Sequence, residues 1–382
     1  MKDTKLNYTL NVIARWFVGL VFLFSSFVKG VDPMGTAYKI GDYIQAWSGT
    51  GLSFEWALPY TTFFSMVLIT AEFLIGVLLI TNSFRRLSAW LLLLMMLFFL
   101  GTTAVDAFSA KYGIDDCGCF GDAVKLTPLQ TFLKNVVLLV PTIWIFLTQK
   151  LRYKFRFERD LFNCIAAIVV MVIFGVYNIM NEPCIDFRPW KVGNVMMNTD
   201  EDLAVESFVT YRNNQTGEEV EVPSAECGTF AADTVTWTWL SSRVIDPYEI
   251  KASGFSMLDM EGEDFASDLV SSPDPLLVVT IHDLDKMNAA RTEAVLSVAR
   301  AAEENGILVV LLSSALAEDI QAFLYAHEMS NLDFYFADAT AIKTMLRSNP
   351  GFMLLHNALV VDKWSYRHAD DCVDALMMVS KD

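Results

Sequence analysis

The chain has 382 residues, of which 54% are hydrophobic, and a net charge of −17 at pH 7. The charge is unevenly divided, with a net charge of +3 for residues 1–184 and −20 for residues 185–382. The acidic second half argues against nucleic acid as a partner, because a negative surface repels the phosphate backbone. Six cysteines are too few for a disulfide scaffold in a chain of this length. An apolar, slightly basic half joined to an acidic half predicts a membrane domain followed by a soluble one.

Five apolar segments are each long enough to cross a bilayer, which needs about 20 residues. They cover residues 9–29, 57–82, 87–108, 129–148 and 161–180. The first segment lacks a small-residue cleavage motif, so we interpret it as a retained helix and not as a cleaved signal peptide. The lipid bilayer is therefore a predicted partner of the chain.

Basic residues predict the orientation of these spans. They cluster around the first span at Lys2, Lys5 and Arg15, at residues 85–86, and at residues 150–159. All of these clusters fall on one side, which is predicted to be cytoplasmic. The sequence thus predicts a multi-pass protein of the bacterial inner (cytoplasmic) membrane, with a cytoplasmic N-terminus and a periplasmic or extracytoplasmic C-terminal domain. The loops around residues 30–56 and around Cys117 are expected on the outer side.

Three charged residues interrupt the second, third and fourth spans. Glu72 lies near the middle of the second span, where a carboxylate normally faces the bundle interior with a partner or a proton. It is either a proton-relay or quinone-facing group, or a structural hydrogen bond between helices. Asp106 and Lys134 lie nearer the outer ends of their spans, which favours a structural role because both can reach interfacial water.

Cys117 and Cys119, separated by one glycine, lie in the loop after the third span. A disulfide between them would close a small strained ring, and strained exposed disulfides are easily reduced. Three flanking aspartates should raise the thiol pKa values. A reversible dithiol/disulfide pair, a structural cross-link or unpaired loop cysteines, and a soft-metal site all remain open. A metal is disfavoured, because two thiolates supply too few ligands and the membrane half contains no histidine.

Several motifs of the membrane half resemble the MauE/DoxX superfamily. The loop reads Cys-Gly-Cys-Phe-Gly at residues 117–121, and the first helix carries related motifs at residues 15–22 and 29–33. Glu72 followed by Gly76 in the second span is also similar. The resemblance implies a bundle of four membrane helices, so that the fifth span is an addition.

The resemblance covers roughly residues 10–150 and also implies a chemistry. Members of the superfamily are associated with thiol redox reactions, disulfide formation in partner proteins, or quinone-linked sulfur oxidation. It implies an extracytoplasmic protein client or a thioredoxin-like partner, and quinone as a possible cofactor.

Two further cysteines belong to the fifth span and its end. Cys184 follows the span on the outer side, where it could resolve a mixed disulfide formed at Cys117 and Cys119, or could be idle. Cys164 lies at the cytoplasmic end of the span and is interpreted as a packing residue.

The second half begins with a predicted juxtamembrane linker. Residues 185–198 contain Arg188-Pro189-Trp190-Lys191, which is expected to anchor the linker at the membrane interface. Strand-like patterns then follow at residues 204–211, 218–222 and 234–240.

From residue 254 onward, strands alternate with helices and a hairpin closes the pattern, which predicts an α/β domain with a mixed sheet. The predicted strands cover residues 276–281, 306–313, 333–337, 352–355 and 359–364, and the predicted helices residues 289–305 and 317–329. This order resembles a membrane-tethered, TlpA-like thioredoxin fold, which implies a cis-proline at Pro350.

The resemblance to thioredoxins fails at the reactive position. After the first core strand the chain reads His-Asp-Leu-Asp-Lys-Met at residues 282–287, without the Cys-x-x-Cys that a dithiol oxidoreductase needs. His282 is therefore interpreted as structural, and the domain as degenerate. Cys227 and Cys372 either pair with each other or remain free.

The predicted fold is a membrane all-α bundle of five transmembrane helices followed by a soluble α/β thioredoxin-like domain. The predicted domains are a four-helix membrane domain, the fifth helix with its linker, a β-rich extension and the thioredoxin-like domain, at residues 1–155, 156–198, 199–253 and 254–382 respectively.

Three functions remain open. The first is a membrane redox protein in which Cys117, Cys119 and Cys184 react with an extracytoplasmic partner and Glu72 faces a quinone. The second is a non-catalytic assembly or maturation factor whose thioredoxin-like domain docks a client. The third, a transporter, is the weakest, because the spans show no paired broken helices.

Overall fold

The computed structural model describes residues 5–48, 54–108, 123–124, 126–149, 156–200, 203–252 and 254–379. The chain forms two compact units, Met1–Arg188 and Pro189–Asp382.

The first unit is helical. Among the described residues, five of its helices are long and apolar enough to cross a membrane, one of them together with the short 3₁₀ helix Glu55–Tyr60 before α3. The prediction of a multi-pass membrane protein with five spans is confirmed. The helices are α1 (Lys5–Val31), α2 (Pro33–Ser48), α3 (Thr61–Thr81), α4 (Arg85–Phe108), α5 (Pro128–Leu147) and α6 (Phe157–Met180).

Close approach of α1 and α3 organises the bundle. A Cβ atom added at Gly19 would lie 3.2 Å from the Gly76 carbonyl oxygen, and one added at Gly76 would lie 3.1 Å from the Gly19 carbonyl oxygen. Small residues allow membrane helices to pack at such short distances, where van der Waals contact and not hydrophobicity drives association. Val18, Phe22 and Leu79 fill the core beside this contact.

Helix α2 corrects the expectation of a loop over residues 30–56. Asp32 precedes the helix and its Oδ1 accepts a hydrogen bond of 2.9 Å from the Gly35 amide, while Pro33 occupies the first helical position. Both features favour a helix start. The helix packs against α3 and is too polar to resemble a span, which explains why hydropathy did not indicate it.

The second unit contains two sheets. The smaller one is antiparallel with strand order β2-β1-β3, and the larger one has the order β6-β5-β4-β7-β8. The strands are β1 (Glu206–Asn213), β2 (Glu219–Pro223), β3 (Trp237–Ile245), β4 (Leu276–Ile281), β5 (Leu308–Ser313), β6 (Asp333–Phe336), β7 (Gly351–His356) and β8 (Leu359–Ser365). The helices are α7 (Gly228–Ala232), α8 (Ala266–Val270), α9 (Ala289–Glu304), α10 (Ala317–Ala326), α11 (Ala339–Met345) and α12 (Ala369–Val379).

The larger sheet has the topology of a thioredoxin-like domain. The central strand β4 is parallel to β5 and antiparallel to β7, and β8 continues the sheet antiparallel to β7. All six residues of β4 are buried, because hydrophobic clusters cover both faces of the sheet. The prediction of a soluble α/β thioredoxin-like domain is confirmed. The Asn349–Pro350 peptide bond is cis, as predicted.

The expected role of Trp190 as an interface anchor is wrong. Its side chain is fully buried in the second unit, with its ring centroid 4.8 Å from that of Phe255. The following segment pairs with β8, since the Met196 amide donates to the Ala358 oxygen at 2.8 Å and the Val360 amide to the Asn194 oxygen at 2.9 Å. Burial of a large aromatic side chain outweighs its preference for a membrane interface.

Candidate functional site

The predicted reactive residues Cys117 and Cys119 lie outside the described residues. The segment that carries them follows the end of α4 at Phe108 and precedes α5, which begins at Pro128. Their role stays a prediction.

Two hydrogen bonds join helices near the ends of α1, α4 and α6. The Asn178 side chain of α6 donates to the Gly30 oxygen at the end of α1, at 3.1 Å. The Tyr43 hydroxyl of α2 donates to Asp106 Oδ2 near the end of α4, at 2.5 Å. The turn after α6 carries Cys184, so we call this end of the first unit the Cys184 end. The segment that contains both predicted reactive cysteines leaves α4 at the same end.

Cys184 is exposed and free. Its amide donates to Asn178 Oδ1 at 3.0 Å. The turn is fixed further by Arg188, which is 2% exposed and forms ion pairs with Asp186 at 2.7 Å and Glu182 at 3.1 Å. Burial acts to lower the pKa of Arg188, but the charges of Glu182 and Asp186 outweigh burial and leave that pKa above its ordinary value. The backbone therefore presents the Cys184 thiol to solvent from a rigid turn.

Glu72 is 1% exposed and links α3 to α1. Its Oε1 is 2.5 Å from Lys29 Nζ, and its Oε2 accepts a hydrogen bond of 2.9 Å from the Ser25 hydroxyl. These contacts provide the helix-to-helix bond that the structural interpretation requires. They border a cavity of only about 20 Å³, which Lys134 also lines. The proton-relay and quinone-facing roles of Glu72 stay predictions.

A larger cavity of about 150 Å³ lies between α2 and α4. Lys29 and Phe99 line this cavity as well as the small one beside Glu72. Sequence analysis missed it, because residues 30–56 were expected to form a loop. The lining side chains most relevant to its chemistry are Lys29, Lys39, Tyr43, Trp47, Phe98 and Phe99.

In the second unit, the loop after β4 occupies the position of the thioredoxin thiols and holds none. Asn349 Oδ1 accepts from the amides of His282 at 2.9 Å and Asp283 at 3.2 Å, and Asn349 Nδ2 donates to the Asp283 oxygen at 2.7 Å. Burial, and then the charge of Lys343, lower the pKa of His282 to about 4. Three hydrogen bonds from one side chain therefore stabilise this loop, and it has no nucleophilic sulfur.

Cys227 and Cys372 are both free, so the possibility that they pair is not realised. Cys372 is fully buried in the core, where burial raises the pKa of its thiol to about 12. A thiol with so high a pKa is a poor nucleophile. Cys164 on α6 is also free and partly buried.

Bundle and sheet together define a multi-pass membrane protein with a thioredoxin-like domain. Residues 7–148 match the family described as "Methylamine utilisation protein MauE". The N-terminal part of the chain therefore carries a MauE domain, which confirms the resemblance seen in the sequence.

Two relatives are similar to parts of the chain. Protein TlpB from Flavobacterium psychrophilum is 26% identical over 141 residues, which is 36% of this chain and 33% of that protein. The chain thus spans about a third of the length of this curated relative. The solution structure of a thiol:disulfide interchange protein from Bacteroides sp. is 16% identical, with a TM-score of 0.27, and the match covers 34% of this chain and 86% of that one. The thioredoxin-like fold is defined by the strand order of the larger sheet.

Proposed function

We propose that this chain is a membrane-bound thiol/disulfide redox protein that exchanges a disulfide between Cys117 and Cys119 with an extracytoplasmic protein. The observation that supports it most is the match to the MauE family over residues 7–148, a range that contains the Cys-Gly-Cys segment. The geometry of the first unit adds support, because α4, which precedes that segment in the sequence, and α6, which precedes the exposed Cys184, end on the same side of the bundle.

The exchange proceeds through a mixed disulfide. A thiolate of the partner attacks one sulfur of the Cys117–Cys119 disulfide, and the other sulfur leaves as a thiolate. A second partner thiolate then attacks the mixed disulfide, so that the partner gains a disulfide and this chain holds two thiols. The reverse sequence transfers electrons to the partner: one loop thiolate opens a partner disulfide, the other loop thiolate or Cys184 then attacks the mixed disulfide, and the partner leaves as a thiolate.

The proposed compartment agrees with this chemistry. With the basic clusters in the cytoplasm, the Cys184 end faces the extracytoplasmic space of a bacterial inner membrane, where disulfides persist. The second unit continues directly from this end at Pro189 and has no thiol after β4. Its role under this proposal is to dock the client or a thioredoxin-like partner.

Thiol trapping in membranes tests the proposal. In a Cys119→Ser/Cys184→Ser variant, Cys117 can form a mixed disulfide that neither of the two replaced cysteines can resolve, so a partner should accumulate as a reducible adduct on non-reducing gels. Cys164→Ser serves as the matched control and should trap nothing. A Cys119→Ser/Cys184→Ser protein without any adduct, together with a wild-type protein that keeps one redox state under reducing and oxidising growth, would falsify the redox function.

A second candidate is a non-catalytic assembly or maturation factor. The loop after β4 favours it, because Asn349 holds that loop by hydrogen bonds where a redox domain would carry reactive thiols. The two candidates differ in their dependence on the loop cysteines. A Cys117→Ser/Cys119→Ser variant should still support maturation of the client if the chain only docks it, and should lose that activity if it exchanges disulfides.

A further inference from the structure

Strand β3 forms one edge of the smaller sheet, whose strand order is β2-β1-β3. Its nine residues pair with β1 on one side, with a single shift of register opposite Thr210 and Tyr211. Among the residues that the structure describes, no strand or isolated bridge pairs with the other side of β3, which we call the open edge. An open edge presents backbone donors and acceptors in a row, so it can accept a further extended chain.

The opposite edge of the same sheet is protected against such pairing. Strand β2 has only five residues, which include Glu219, Glu221 and a final Pro223. Short length, charge and proline are the usual means by which proteins block an edge strand. Strand β3 contains no proline, and its one charged side chain, Arg243, is bonded to Glu221 at 3.1 Å. Because residues 241–245 stay in continuous register with β1, the open edge offers an uninterrupted run for pairing.

Exposed apolar side chains accompany the open edge. Trp239 and Val244 are 58% and 59% exposed. Both lie on the same face of the sheet, because their partners on β1, Tyr211 and Ser207, are four residues apart and side chains alternate along a strand. Apolar side chains on one face of an edge strand are the contacts that an added strand covers with its alternate residues.

The charge around the open edge indicates the chemistry of the partner. Residues 203–250 contain eight acidic and two basic residues, for a net charge of −6. Both arginines of this segment form ion pairs with glutamates of β2, at 2.6 and 3.1 Å. Three further acidic residues are exposed around β3, with Asp233 before the strand, Asp246 after it and Glu206 opposite Ile245. Such a surface attracts a positively charged segment and repels a second copy of this chain, which carries the same charge.

We propose that the open edge of β3 binds an extended, positively charged segment of a partner protein, which joins the smaller sheet as a fourth strand. The backbone of this segment pairs with residues 241–245, its apolar side chains cover Trp239 and Val244, and its lysines or arginines lie near the flanking carboxylates. The inference rests on the proposed function in one respect, since it names the surface with which the second unit docks its partner. It involves neither Cys117 nor Cys119.

Fluorescence anisotropy with the purified full chain in an uncharged detergent tests the binding. The probe is a labelled peptide of the length of β3 that alternates lysine and valine and has blocked ends. It should bind saturably to the wild type and equally to Cys117→Ser/Cys119→Ser, and its affinity should fall as salt is added. A peptide that alternates glutamate and valine should not bind.

A second peptide tests the addition of a strand. It has the lysine–valine sequence with N-methyl groups on two adjacent central residues, whose amides point to opposite edges of a strand, so that neither edge can pair fully. It should bind at least about tenfold more weakly than the unmodified peptide.

Variants of the open edge locate the site. Val244→Lys should weaken binding of the lysine–valine peptide by about tenfold or more, because it adds a positive charge and removes an apolar contact. Leu316→Lys is the matched control, since it makes the same change at an exposed residue just before α10, and it should bind like the wild type. Trp239→Lys provides a second edge variant should Val244→Lys not fold.

Several outcomes would overturn the inference. Absence of saturable binding to the wild type does so, and so do equal affinities of the folded Val244→Lys and Leu316→Lys proteins. Equal binding of the N-methylated peptide rules out an added strand. Self-association of the chain without peptide, if Val244→Lys abolishes it, would assign the open edge to a second copy of this chain and not to a basic partner.

The failure of this inference can be told apart from that of the proposed function. A partner adduct in Cys119→Ser/Cys184→Ser membranes without peptide binding leaves the redox function intact and removes only this inference. Peptide binding without any adduct supports the open edge as a docking surface while the redox function fails.

Discussion

Lys29 lies where three membrane helices meet. Its ammonium contacts Glu72 at 2.5 Å and Ser25 at 3.2 Å, and lies 5.2 Å from the centroid of the Phe99 ring. The side chain is 4% exposed. A charge in such a place persists because its partner is equally buried, and each compensates the other.

Removing one member of this pair should therefore destabilise the bundle strongly. Lys29→Met leaves the Glu72 carboxylate buried without a counter-charge, at an expected loss of about 3–5 kcal/mol in the free energy of unfolding. The double variant Lys29→Met/Glu72→Met should recover part of this loss, since it leaves no charge behind. Unfolding midpoints in detergent measure both, with the exposed Lys5→Met as the control. If the double variant lost as much stability as Lys29→Met and Glu72→Met lose in sum, this account would be contradicted.

His282 should make the stability of the second unit depend on pH. Its pKa is lowered from 6.5 to about 4 in the folded state by burial. As the pH falls below 6.5, His282 of the unfolded chain binds a proton, whereas His282 of the folded chain binds one only near pH 4. The free energy of unfolding therefore declines between these two pH values. The contribution of neutral His282 to the free energy of unfolding is complete above pH 6.5 and lost below about pH 4.

Urea unfolding of the full chain, followed by pulse proteolysis of the second unit at pH 7 and pH 4.5, measures this dependence. His282→Asn should flatten it, whereas the exposed His356→Asn should not. The same slope in both variants would show that other groups cause the dependence.

Only part of the site could be predicted residue by residue. Glu72 stood out because a carboxylate is rare in an apolar span. Its partner Lys29 did not, because it lies 43 positions earlier at the end of a span, where lysines usually extend to the interface. Asn349 gave no signal, because a neutral amide near a proline is common in any loop.

At the scale of elements, helix α2 shows the limit of hydropathy. The five spans could be predicted because each has to match the thickness of a bilayer. A polar helix that packs against α3 has no such constraint. Its only signal was the Asp32-Pro33 pair, which starts helices but also occurs in turns.

The orientation of the spans is a prediction at this scale. Arg15 and Arg85 belong to the basic side, but both are buried, with 5% and 2% exposure respectively. Arg15 donates to the Leu79 carbonyl oxygen, and Arg85 donates to the Thr148 carbonyl oxygen. They therefore bond helix ends in addition to contributing to the predicted cytoplasmic face. Alkaline phosphatase fused after Met180 should be active, because that enzyme works only outside the cytoplasm, and a fusion after Asn82 should be inactive. Activity in the opposite pattern would reverse the assigned sides.

At the scale of the whole molecule, the two compact units meet in the chain at Arg188 and Pro189. The order of the strands of the second unit and of its helices α9 and α10 could be predicted, because buried strands and amphipathic helices have different periodicities, whereas α7, α8, α11 and α12 were not predicted. The contribution of residues 190–197 to its core could not, because they belong to no strand or helix. Their burial depends on tertiary contacts with Phe255 and β8.

This boundary has a measurable consequence. A segment of residues 189–382 should fold cooperatively on its own, since it contains its complete hydrophobic core. A segment of residues 199–382 lacks Trp190, Met196 and Met197, and should be less stable by more than about 3–5 kcal/mol, the usual loss for one large core side chain. Thermal unfolding followed by circular dichroism compares the two. Equal midpoints would mean that these buried residues add nothing to stability.

The hydrogen bonds of Asn349 also link the motion of two distant segments. The amides of His282 and Asp283 lie beyond the end of β4, yet both donate to Asn349, which is 7% exposed and lies two residues before the start of β7. Solvent deuterium can replace their protons only when the Asn349 side chain withdraws, and that requires the start of β7 to separate from β4. Both amides should therefore exchange with deuterium as slowly as their neighbours in the central strands, which would make this loop a cooperative part of the sheet.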